Sequence, residues 1–532
     1  MEMIYQSTRN AGEQATASEA ILKGLASDGG LFVPNEIPLF SIPFTRMAEM
    51  DYREVAFEVM RLFLTDFTSE ELKHCIDKAY DKKFDVPEIV PLREVDDVHY
   101  LELFHGATIA FKDMALSILP HLLTAAAKKN SVKEEIVILT ATSGDTGKAA
   151  LAGFADVPGT RIIVFYPKDG VSPIQEKQMV TQRGANTMVV GIHGNFDDAQ
   201  NGVKAIFNNK ELAAAMREKG FRFSSANSIN IGRLVPQIVY YVYAYTRLLA
   251  AGKLKEGERL NVVVPTGNFG NILAAYYAKC AGLPLGKLIC ASNDNKVLYD
   301  FFQSGTYDKN RDFILTTSPS MDILISSNLE RLIYRVAGDD AKKNAQLMQA
   351  LLKDGVYSVT DEMRERLADF YGGFATVKQT ADTIRELYEK TGYVNQVRRK
   401  IFGKKETIFR EVDEKYLGEV LEQKEGIITG FWQSEEYFKG VKEQVRMLYN
   451  KERVLDPANR EILRRIKFSN SISMHIRRGD YTWSDVSAIF GGICTADYYK
   501  KAMSYFRSEY TDSKFYIFLL CSVIFDPPDC CP

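Results

Sequence analysis

Residues 135–280 of the chain alternate between two hydrophobic patterns. The first is a short run of apolar and β-branched residues, typical of a parallel strand covered on both faces. Four segments show it: Glu135–Thr140, Thr160–Tyr166, Asn186–Gly191 and Asn261–Pro265. The second is a helical period, and two segments show it: Gly147–Ala152 and Asn271–Lys279. Strands that alternate with helices predict an α/β fold.

The composition excludes several protein classes. The 532 residues, at about 150 per domain, predict three or four domains, and a content of 46% hydrophobic and 26% charged residues is that of an ordinary globular protein. A formal net charge of -2 argues against nucleic acid as the main partner, because phosphate neutralisation needs a basic excess. No apolar run reaches the roughly 18 residues of a membrane helix, and no signal peptide is seen. The seven cysteines lack disulfide or zinc spacing, so we expect a reduced, cytoplasmic protein without a metal site.

The composition is uneven along the chain. Both tryptophans, Trp432 and Trp483, lie in the last quarter, together with four of the seven cysteines. Residues 395–424 are dense in charge. Two interpretations are open: one helical subdomain with a solvated face, or a seam between two unrelated pieces.

Two loops join a predicted strand to a predicted helix and contain paired glycines. In Val264–Asn271 the two glycines let several main-chain N–H groups converge at a helix N-terminus, which suits a phosphate. In Ala141–Gly147, the hydroxyls of Ser143 and Thr146 suit a carboxylate or a phosphate. The alternatives are a plain strand-to-helix turn for the first loop and a cluster of helix caps for the second.

Lys112 follows a loop and begins an apolar helix. An apolar environment disfavours the charged form of a lysine, which makes the amine available for a Schiff base. The alternative is a surface lysine at a helix start. A reactive lysine, a phosphate site and a carboxylate site are together what a pyridoxal-phosphate enzyme acting on an amino acid needs from its protein.

Residues 1 to about 394 resemble threonine synthase, a pyridoxal-phosphate enzyme of fold type II. The resemblance rests on six segments in the family's order and spacing: Tyr5–Arg9, Gly24–Pro34, Phe111–Asp113, Thr142–Gly147, Ser224–Arg233 and Pro265–Asn271. It implies a small N-terminal segment over about 1–95 and two α/β lobes over about 96–394. The implied reaction converts O-phospho-L-homoserine and water to L-threonine and phosphate.

The resemblance also implies roles for individual residues. Lys112 would bind pyridoxal 5′-phosphate covalently and act as the base that moves protons at Cα and Cβ. Asp145 stands where some relatives carry an asparagine beside the cofactor's 3′-hydroxyl. The cofactor phosphate would be bound by Gly267, Asn268, Phe269, Gly270 and Asn271. The substrate's carboxylate and phosphate would be bound by Ser143, Thr146, Asn227, Asn230 and Arg233. For Arg233 the alternative is a surface ion pair.

The resemblance to threonine synthase breaks off near residue 395. The family continues with an Asp-x-His-Thr segment and a late strand that contacts the pyridine nitrogen, and neither follows here. The loss of a strand would leave a sheet edge and apolar surface uncovered. We therefore expect impaired or absent synthase activity, even if the fold largely forms.

Residues 395–532 resemble part of a bacterial α-1,2-fucosyltransferase, with an expected partial Rossmann-like fold. The resemblance rests on Gly430–Phe438, Ser471–Tyr481, Ala496–Tyr499 and Lys514–Phe518. Two guanidiniums at a strand end can neutralise a nucleotide diphosphate, and the resemblance implies that this ligand is GDP-fucose. The implied vestigial site comprises His475, Arg477, Arg478 and Asp480. The alternative is a basic strand end paired with Asp480.

The fucosyltransferase-like piece is incomplete as well. The family's acceptor-side half is absent, and residues 519–532 form an apolar, cysteine-rich tail that matches nothing expected there. Three hypotheses follow: a truncated threonine-synthase-like lyase joined to a transferase fragment, a protein whose nucleotide-sugar site matters, or a non-catalytic chimera. The resemblance of the front piece also favours a monomer or a homodimer.

Overall fold

The structure is a computed structural model that describes residues 2–95, 98–142, 144–168 and 170–383 together with four later strands. Those strands are β15 Ile408–Arg410, β16 Ile427–Thr429, β17 Ser471–Arg477 and β18 Lys514–Leu520. The chain divides into two compact units, Met1–Gly403 and Lys404–Pro532. The seam predicted near residue 395 lies outside the described residues, and the finer domain boundaries stay predictions.

The chain begins with a small antiparallel sheet and four helices. The sheet has the order β2-β1-β3, formed by β1 Tyr5–Ser7, β2 Gln14–Ala15 and β3 Phe32–Pro34. The helices are α1 Ala17–Lys23, α2 Phe44–Met47, α3 Tyr52–Phe63 and α4 Ser69–Ala79. Capping boxes begin α1, α3 and α4, each with a Glu three residues after the N-cap. A hairpin of β4 Leu92–Val95 and β5 Val98–Leu101 follows.

A four-stranded parallel sheet with the order β8-β7-β6-β9 comes next. Its strands are β6 Glu135–Ala141, β7 Thr160–Pro167, β8 Thr187–Ile192 and β9 Phe221–Ser224. The helices of this region are α5 Asp113–Leu116, α6 Leu119–Lys129, α7 Asp145–Phe154, α8 Pro173–Val180, α9 Phe196–Asn208 and α10 Lys210–Glu218. Three predicted strands and the helix predicted at Gly147–Ala152 are confirmed here.

A second parallel sheet has the order β10-β11-β14. Its strands are β10 Leu260–Pro265, β11 Leu285–Ser292 and β14 Phe370–Phe374, and β12 Thr306–Asp308 pairs with β13 Val356–Ser358 beside it. The surrounding helices are α11 Ile231–Ala250, α12 Gly270–Cys280, α13 Val297–Ser304, α14 Leu329–Val336, α15 Ala341–Lys353 and α16 Asp361–Arg366. A 3-10 turn spans Pro319–Met321. The fourth predicted strand and the helix predicted at Asn271–Lys279 are confirmed, and so is the α/β class.

Helix α11 is the central element of the first unit. Nearly all of its 20 residues are buried, and it packs against α3, α5 and α12. Asn230, at its N-cap, accepts a hydrogen bond from the main-chain N–H of Gly232 at 2.9 Å. Because α11 contacts both the N-terminal helices and α12, it fixes the residues of its first turns inside the protein.

Strand β10 lies at an edge of the second sheet, since β11 is its only partner among the described strands. The side chain of Val263 on this strand is 63% exposed. The sequence predicts an uncovered sheet edge where the family's last strand is missing, and the link between that missing strand and β10 stays a prediction.

In the second unit, β15 pairs with β16 and β17 pairs with β18, both in parallel. Parallel pairing accords with a Rossmann-like fragment, which stays a prediction. Within the described parts of the chain, no helix is long and apolar enough to cross a membrane. The same residues contain no cluster of side chains that could hold a metal ion.

Candidate active site

Lys112 lies at the start of α5 with a side chain that is only 11% exposed. Its Nζ donates a hydrogen bond to the Ser320 hydroxyl at 3.0 Å and lies 3.6 Å from a carboxylate oxygen of Asp145. Burial lowers the pKa of Lys112 to about 8, Asp145 opposes this shift, and the guanidinium of Arg233 adds to it. Neutral amine is therefore available close to neutral pH, as a lysine that attacks an aldehyde requires.

The turn before α5 determines where Lys112 is placed. Asp113 is 2% exposed, and its carboxylate accepts hydrogen bonds from the main-chain N–H and the hydroxyl of Thr108, at 2.7 and 2.6 Å. Gly106 allows this close approach, because a Cβ at that position would lie 2.5 Å from the Cβ of Asp113. These contacts close the loop and bring the helix start to the site.

The carboxylate of Asp145 is the centre of the polar contacts around Lys112. It accepts hydrogen bonds from the Ser320 hydroxyl and, at 2.7 Å, from the Gln175 amide, and the Lys148 ammonium lies 3.3 Å away. Burial alone would raise the pKa of Asp145, but Lys112, Ser320 and Lys148 lower it to about 2. Asp145 is therefore ionised at any pH at which the protein is expected to work.

The loop between β10 and α12 contains consecutive main-chain N–H groups that are free within the described residues. In the described part of the chain, no acceptor is paired with the N–H groups of Gly267–Asn271. The Ser326 hydroxyl donates to the carbonyl oxygen of Gly267 at 2.7 Å, and the Asn328 amide donates to that of Asn268 at 3.0 Å. Phe269 has a φ of 65° and a fully buried ring. An anchored loop of unpaired donors at a helix N-terminus suits a phosphate group.

Arg233 supplies a buried positive charge one turn into α11. It is 3% exposed, and its Nη1 donates to the carbonyl oxygen of Ala226 at 3.0 Å. Its Nε has no partner within the described residues, and no described carboxylate forms a salt bridge with it. Burial lowers the pKa of Arg233 to about 10, so the guanidinium stays charged at neutral pH. The alternative of a surface ion pair is wrong, because the side chain is buried and has no acidic partner among the described residues.

The structure gathers most of the predicted site residues around one cavity of 2390 Å³. Residues from both parallel sheets line it, and they include Lys112, Asp145, Thr146, Asn227, Arg233 and four of the five residues of the 267–271 loop. Asn230 is fully buried instead, and its amide donates to the carbonyl oxygens of Ile21 and Ser225, at 3.0 and 3.3 Å. Ser143 lies outside the described residues. Its neighbour Thr142 accepts hydrogen bonds from the N–H groups of Gly144 and Gly147, both at 2.9 Å, and so holds the loop in place.

Three residues of the site were missed in the sequence: Lys148, Gln175 and Ser320. Lys148 had a weak signal, because it stands three residues after Asp145 and therefore on the same helix face. Gln175 and Ser320 had none, because each reaches Asp145 from a distant part of the chain.

The residues assigned to a nucleotide sugar are described only in part. His475 and Arg477 lie on β17, where the apolar pattern predicts a strand, and they are in register with Phe518 and Leu520 of β18. Arg478 and Asp480 lie outside the described residues. The alternative of a basic strand end paired with Asp480 stays open.

Comparison with known families divides the chain into three matches. Residues 4–80 match the family described as threonine synthase N terminus, and residues 88–363 match the pyridoxal-phosphate dependent enzymes. Residues 415–519 match glycosyl transferase family 11.

Individual relatives agree with the first two matches. The threonine synthase of Schizosaccharomyces pombe is 37% identical over 424 residues, which cover 74% of this chain and 81% of that protein. A crystal structure of pyridoxal-phosphate-bound threonine synthase from Brucella melitensis has a TM-score of 0.68 and 39% identity, and covers 74% of this chain and 82% of that one. The yeast threonine synthase structure has a TM-score of 0.67 and 36% identity, with coverages of 73% and 79%.

Proposed function

The chain belongs to the threonine synthase family of pyridoxal-phosphate-dependent enzymes, and we propose that its front unit catalyses the conversion of O-phospho-L-homoserine and water to L-threonine and phosphate. The observation that carries this proposal is a buried lysine with a lowered pKa beside a loop of free N–H groups, in one cavity. A lysine and an anion site in this arrangement match the aldehyde and the phosphate of one cofactor.

Pyridoxal 5′-phosphate is the cofactor of this family, and the residues of the cavity fit it. Five N–H groups that are unpaired within the described residues suit its phosphate. Gly267 lets their loop lie against the 3-10 turn, because a Cβ there would lie 2.4 Å from the carbonyl oxygen of Ser320. Lys112 would hold its aldehyde carbon, and Asp145 would face its 3′-hydroxyl. When bound, the cofactor supplies an electron sink for the charge that develops as substrate C–H bonds break.

The protein's own residues would bind the substrate and move protons. Arg233 would bind a carboxylate or phosphate of O-phospho-L-homoserine, because its buried guanidinium has no acidic partner in the described part of the chain. Thr146, Asn227 and Ser143 would complete the anion contacts. Lys112 would take a proton from Cα and then one from Cβ as phosphate leaves from Cγ, and would return one proton at Cγ and one at Cα. The hydroxyl of water would add at Cβ, and the remaining proton of that water would go to the released phosphate.

We expect this activity to be impaired. The chain covers 81% of the Schizosaccharomyces pombe enzyme and 82% of the Brucella melitensis one. The cavity of 2390 Å³ is more than twice the roughly 1,000 Å³ at the upper end of ordinary ligand sites. It extends along β10, which is an edge strand among the described strands, so the site is expected to exclude solvent poorly.

The test uses the purified full chain with added pyridoxal phosphate. We expect the visible absorption band of a lysine-bound cofactor in the wild type and its loss in Lys112→Ala. Phosphate release from O-phospho-L-homoserine should be slow in the wild type and lower by about 100-fold or more in the variant. Lys177→Ala, which changes an exposed lysine on α8, is the matched control and should behave as the wild type.

The outcomes separate the parts of the proposal. A band that persists in Lys112→Ala would refute the assignment of the lysine. Turnover as fast as that of a complete threonine synthase, measured in parallel, would contradict the expected impairment. A band without any turnover would leave cofactor binding supported and would show that the synthase activity has been lost.

A second function is favoured by the match of residues 415–519 to glycosyl transferase family 11. We expect at most residual binding of GDP-fucose there, because the family's other half is missing from the sequence. Titration of the full chain with GDP-fucose by calorimetry tests this, with GDP-mannose as the matched ligand. A cytoplasmic location and a monomeric or homodimeric state also stay predictions.

A further inference from the structure

Lys148 carries a second positive charge next to the Lys112 site. It lies on α7 three residues after Asp145, with a side chain that is 10% exposed. A buried ammonium is costly unless it is paired, and the pairing here is to Oδ1 of Asp145 at 3.3 Å. The other oxygen of the same carboxylate, Oδ2, faces Lys112 at 3.6 Å. One negative charge is therefore shared between two ammonium groups.

The orientation of this carboxylate is fixed from several elements at once. Oδ1 also accepts from the Gln175 amide on α8 at 2.7 Å, and Oδ2 accepts from Ser320 in the 3-10 turn. Each carboxylate oxygen thus has one cationic and one neutral partner. Rotation of the Asp145 side chain would break the contacts of both oxygens. Lys148 and Gln175, which contact Oδ1, therefore help to keep Oδ2 directed towards Lys112.

The charges around Lys112 come from three elements. Asp145 and Lys148 lie on α7, Arg233 lies on α11, and Asp113 lies on α5. The carboxylate of Asp113 is turned towards Thr108, with contacts of 2.6 and 2.7 Å, and the charge of Lys148 reaches it as well. Asp145 is thus the acid in direct contact with Lys112, and Lys148 competes with Lys112 for the Asp145 carboxylate.

We propose that Lys148 is a positioning residue that keeps Lys112 reactive by sharing the Asp145 carboxylate, a role that rests on the proposed function of Lys112. Without Lys148, Asp145 would pair with Lys112 alone and would stabilise its ammonium form. The supply of neutral amine near neutral pH would then fall. A purely structural ion pair would affect stability but would leave the titration of Lys112 unchanged.

The test follows the reactivity of Lys112 in the full chain without cofactor or substrate. The protein is labelled with an amine-reactive reagent at a series of values from about pH 6 to about pH 10, a range that spans the pKa of Lys112. The labelling at Lys112 is measured by mass spectrometry. In Lys148→Met the titration of Lys112 should move upward by roughly half a unit to one unit. Labelling at pH 7 should then be about three- to tenfold slower.

Three further variants make the result decisive. Lys148→Gln keeps a donor towards Asp145 but loses the charge, and it should show the same upward shift. Lys148→Arg restores the charge and should return the titration towards that of the wild type. Lys177→Met removes an exposed lysine charge on α8 and should cause no shift.

An unchanged titration in both Lys148→Met and Lys148→Gln, in protein that keeps its far-UV circular dichroism, would overturn the proposal. An equal shift in Lys177→Met would overturn it as well, because the effect would then be general. The measurement needs no turnover, so it can succeed in a chain that is inactive as a synthase. A failure of the proposed function and a failure of the role of Lys148 are therefore distinguishable.

Discussion

At the scale of single residues, the candidate site consists of groups that are costly to bury and are held there by their neighbours. Arg233 is a buried cation, the side chain of Lys112 is only 11% exposed, and Phe269 adopts a positive φ that is uncommon for a residue with a side chain. Such states persist only where surrounding contacts determine them. The contacts of Ser326 and Asn328 with the 267–271 loop are an example, because they fix the loop while its N–H groups stay free.

The first prediction concerns Gly267, where space and not backbone conformation is limiting. In Gly267→Ala, a Cβ would lie 2.4 Å from the carbonyl oxygen of Ser320, so the loop and the 3-10 turn must move apart. We expect pyridoxal phosphate to bind about tenfold more weakly, for a strain of about 1.4 kcal/mol. Fluorescence or absorbance titration with pyridoxal phosphate measures this.

The matched control for this prediction is Gly202→Ala on α9. A Cβ at Gly202 meets no atom within 4 Å, so cofactor affinity should stay at the wild-type value. Alanine in a helix should also raise stability slightly, by up to about 1 kcal/mol. Equal affinities in the wild type and Gly267→Ala would show that the loop adapts without cost.

At the scale of elements, the first turn of helix α11 contains both a residue that caps the helix and a residue expected to bind substrate. Asn230 caps the helix, Arg233 lies three residues further on, and Gln237 donates to the carbonyl oxygen of Arg233 at 2.7 Å. The cap and the contact of Asn230 with the carbonyl oxygen of Ile21 fix the helix start relative to α1. The position of the Arg233 guanidinium therefore depends on a residue that does not itself reach the cavity.

The second prediction distinguishes the helix cap Asn230 from Asn227, which precedes it and is expected to bind substrate. Asn230→Ala removes the hydrogen bond to Gly232 and two further contacts, so the free energy of unfolding should fall by about 1–2 kcal/mol. Asn227→Ala changes a residue that lines the cavity, and its stability should stay within about 0.5 kcal/mol of the wild type. Urea unfolding followed by far-UV circular dichroism measures both.

The two variants should rank differently for substrate binding than for stability. Asn227→Ala should raise the KM for O-phospho-L-homoserine while the protein stays as stable as the wild type. If Asn230→Ala is as stable as the wild type, the amide does not serve as a cap, and its assignment to substrate binding gains support.

At the scale of the whole molecule, the main feature is the enzyme fold of the first unit, in whose second sheet β10 is an edge strand among the described strands. Strand β10 has one partner among the described strands, and the cavity runs along it. Edge strands with apolar side chains are templates for pairing with other chains. Impaired activity and a tendency to associate would thus have one cause.

The third prediction tests this edge. Val263 is 63% exposed on β10, and Val263→Lys places a charge on the edge, so aggregation of the full chain should slow severalfold. Leu352→Lys is the matched control, because Leu352 is 80% exposed but lies on helix α15. Light scattering at a fixed concentration measures both. Equal slowing by the two variants would attribute the effect to net charge and not to the strand edge.

Much of the fold was predictable because its signals are local. Four predicted strands agree with β6, β7, β8 and β10 to within one or two residues at each end. Their unbroken β-branched runs are recognisable without knowledge of any distant contact. Lys112 and the 267–271 loop were predictable for the same reason, because each stands at a junction of a loop and a helix.

The contacts that decide the chemistry could not be predicted in this way. Ser320 reaches Lys112 across 208 residues of sequence, and no spacing rule relates the two. Asn230 and Asn227 lie within one segment and look equivalent in the sequence, yet one caps a helix and the other lines the cavity. Side-chain direction depends on what the helix packs against, and that is a property of the folded chain.

By itself the sequence determined the α/β class, the join between two unlike pieces and the chemical groups available to a pyridoxal-phosphate site, because these depend on local periodicity and residue type. Only the tertiary structure decided that Arg233 is buried, with no acidic partner among the described residues, and that Lys112 and Lys148 share the carboxylate of Asp145. The reason is physical: burial and charge sharing arise when distant segments pack together and exclude water, and no short stretch of sequence contains that information.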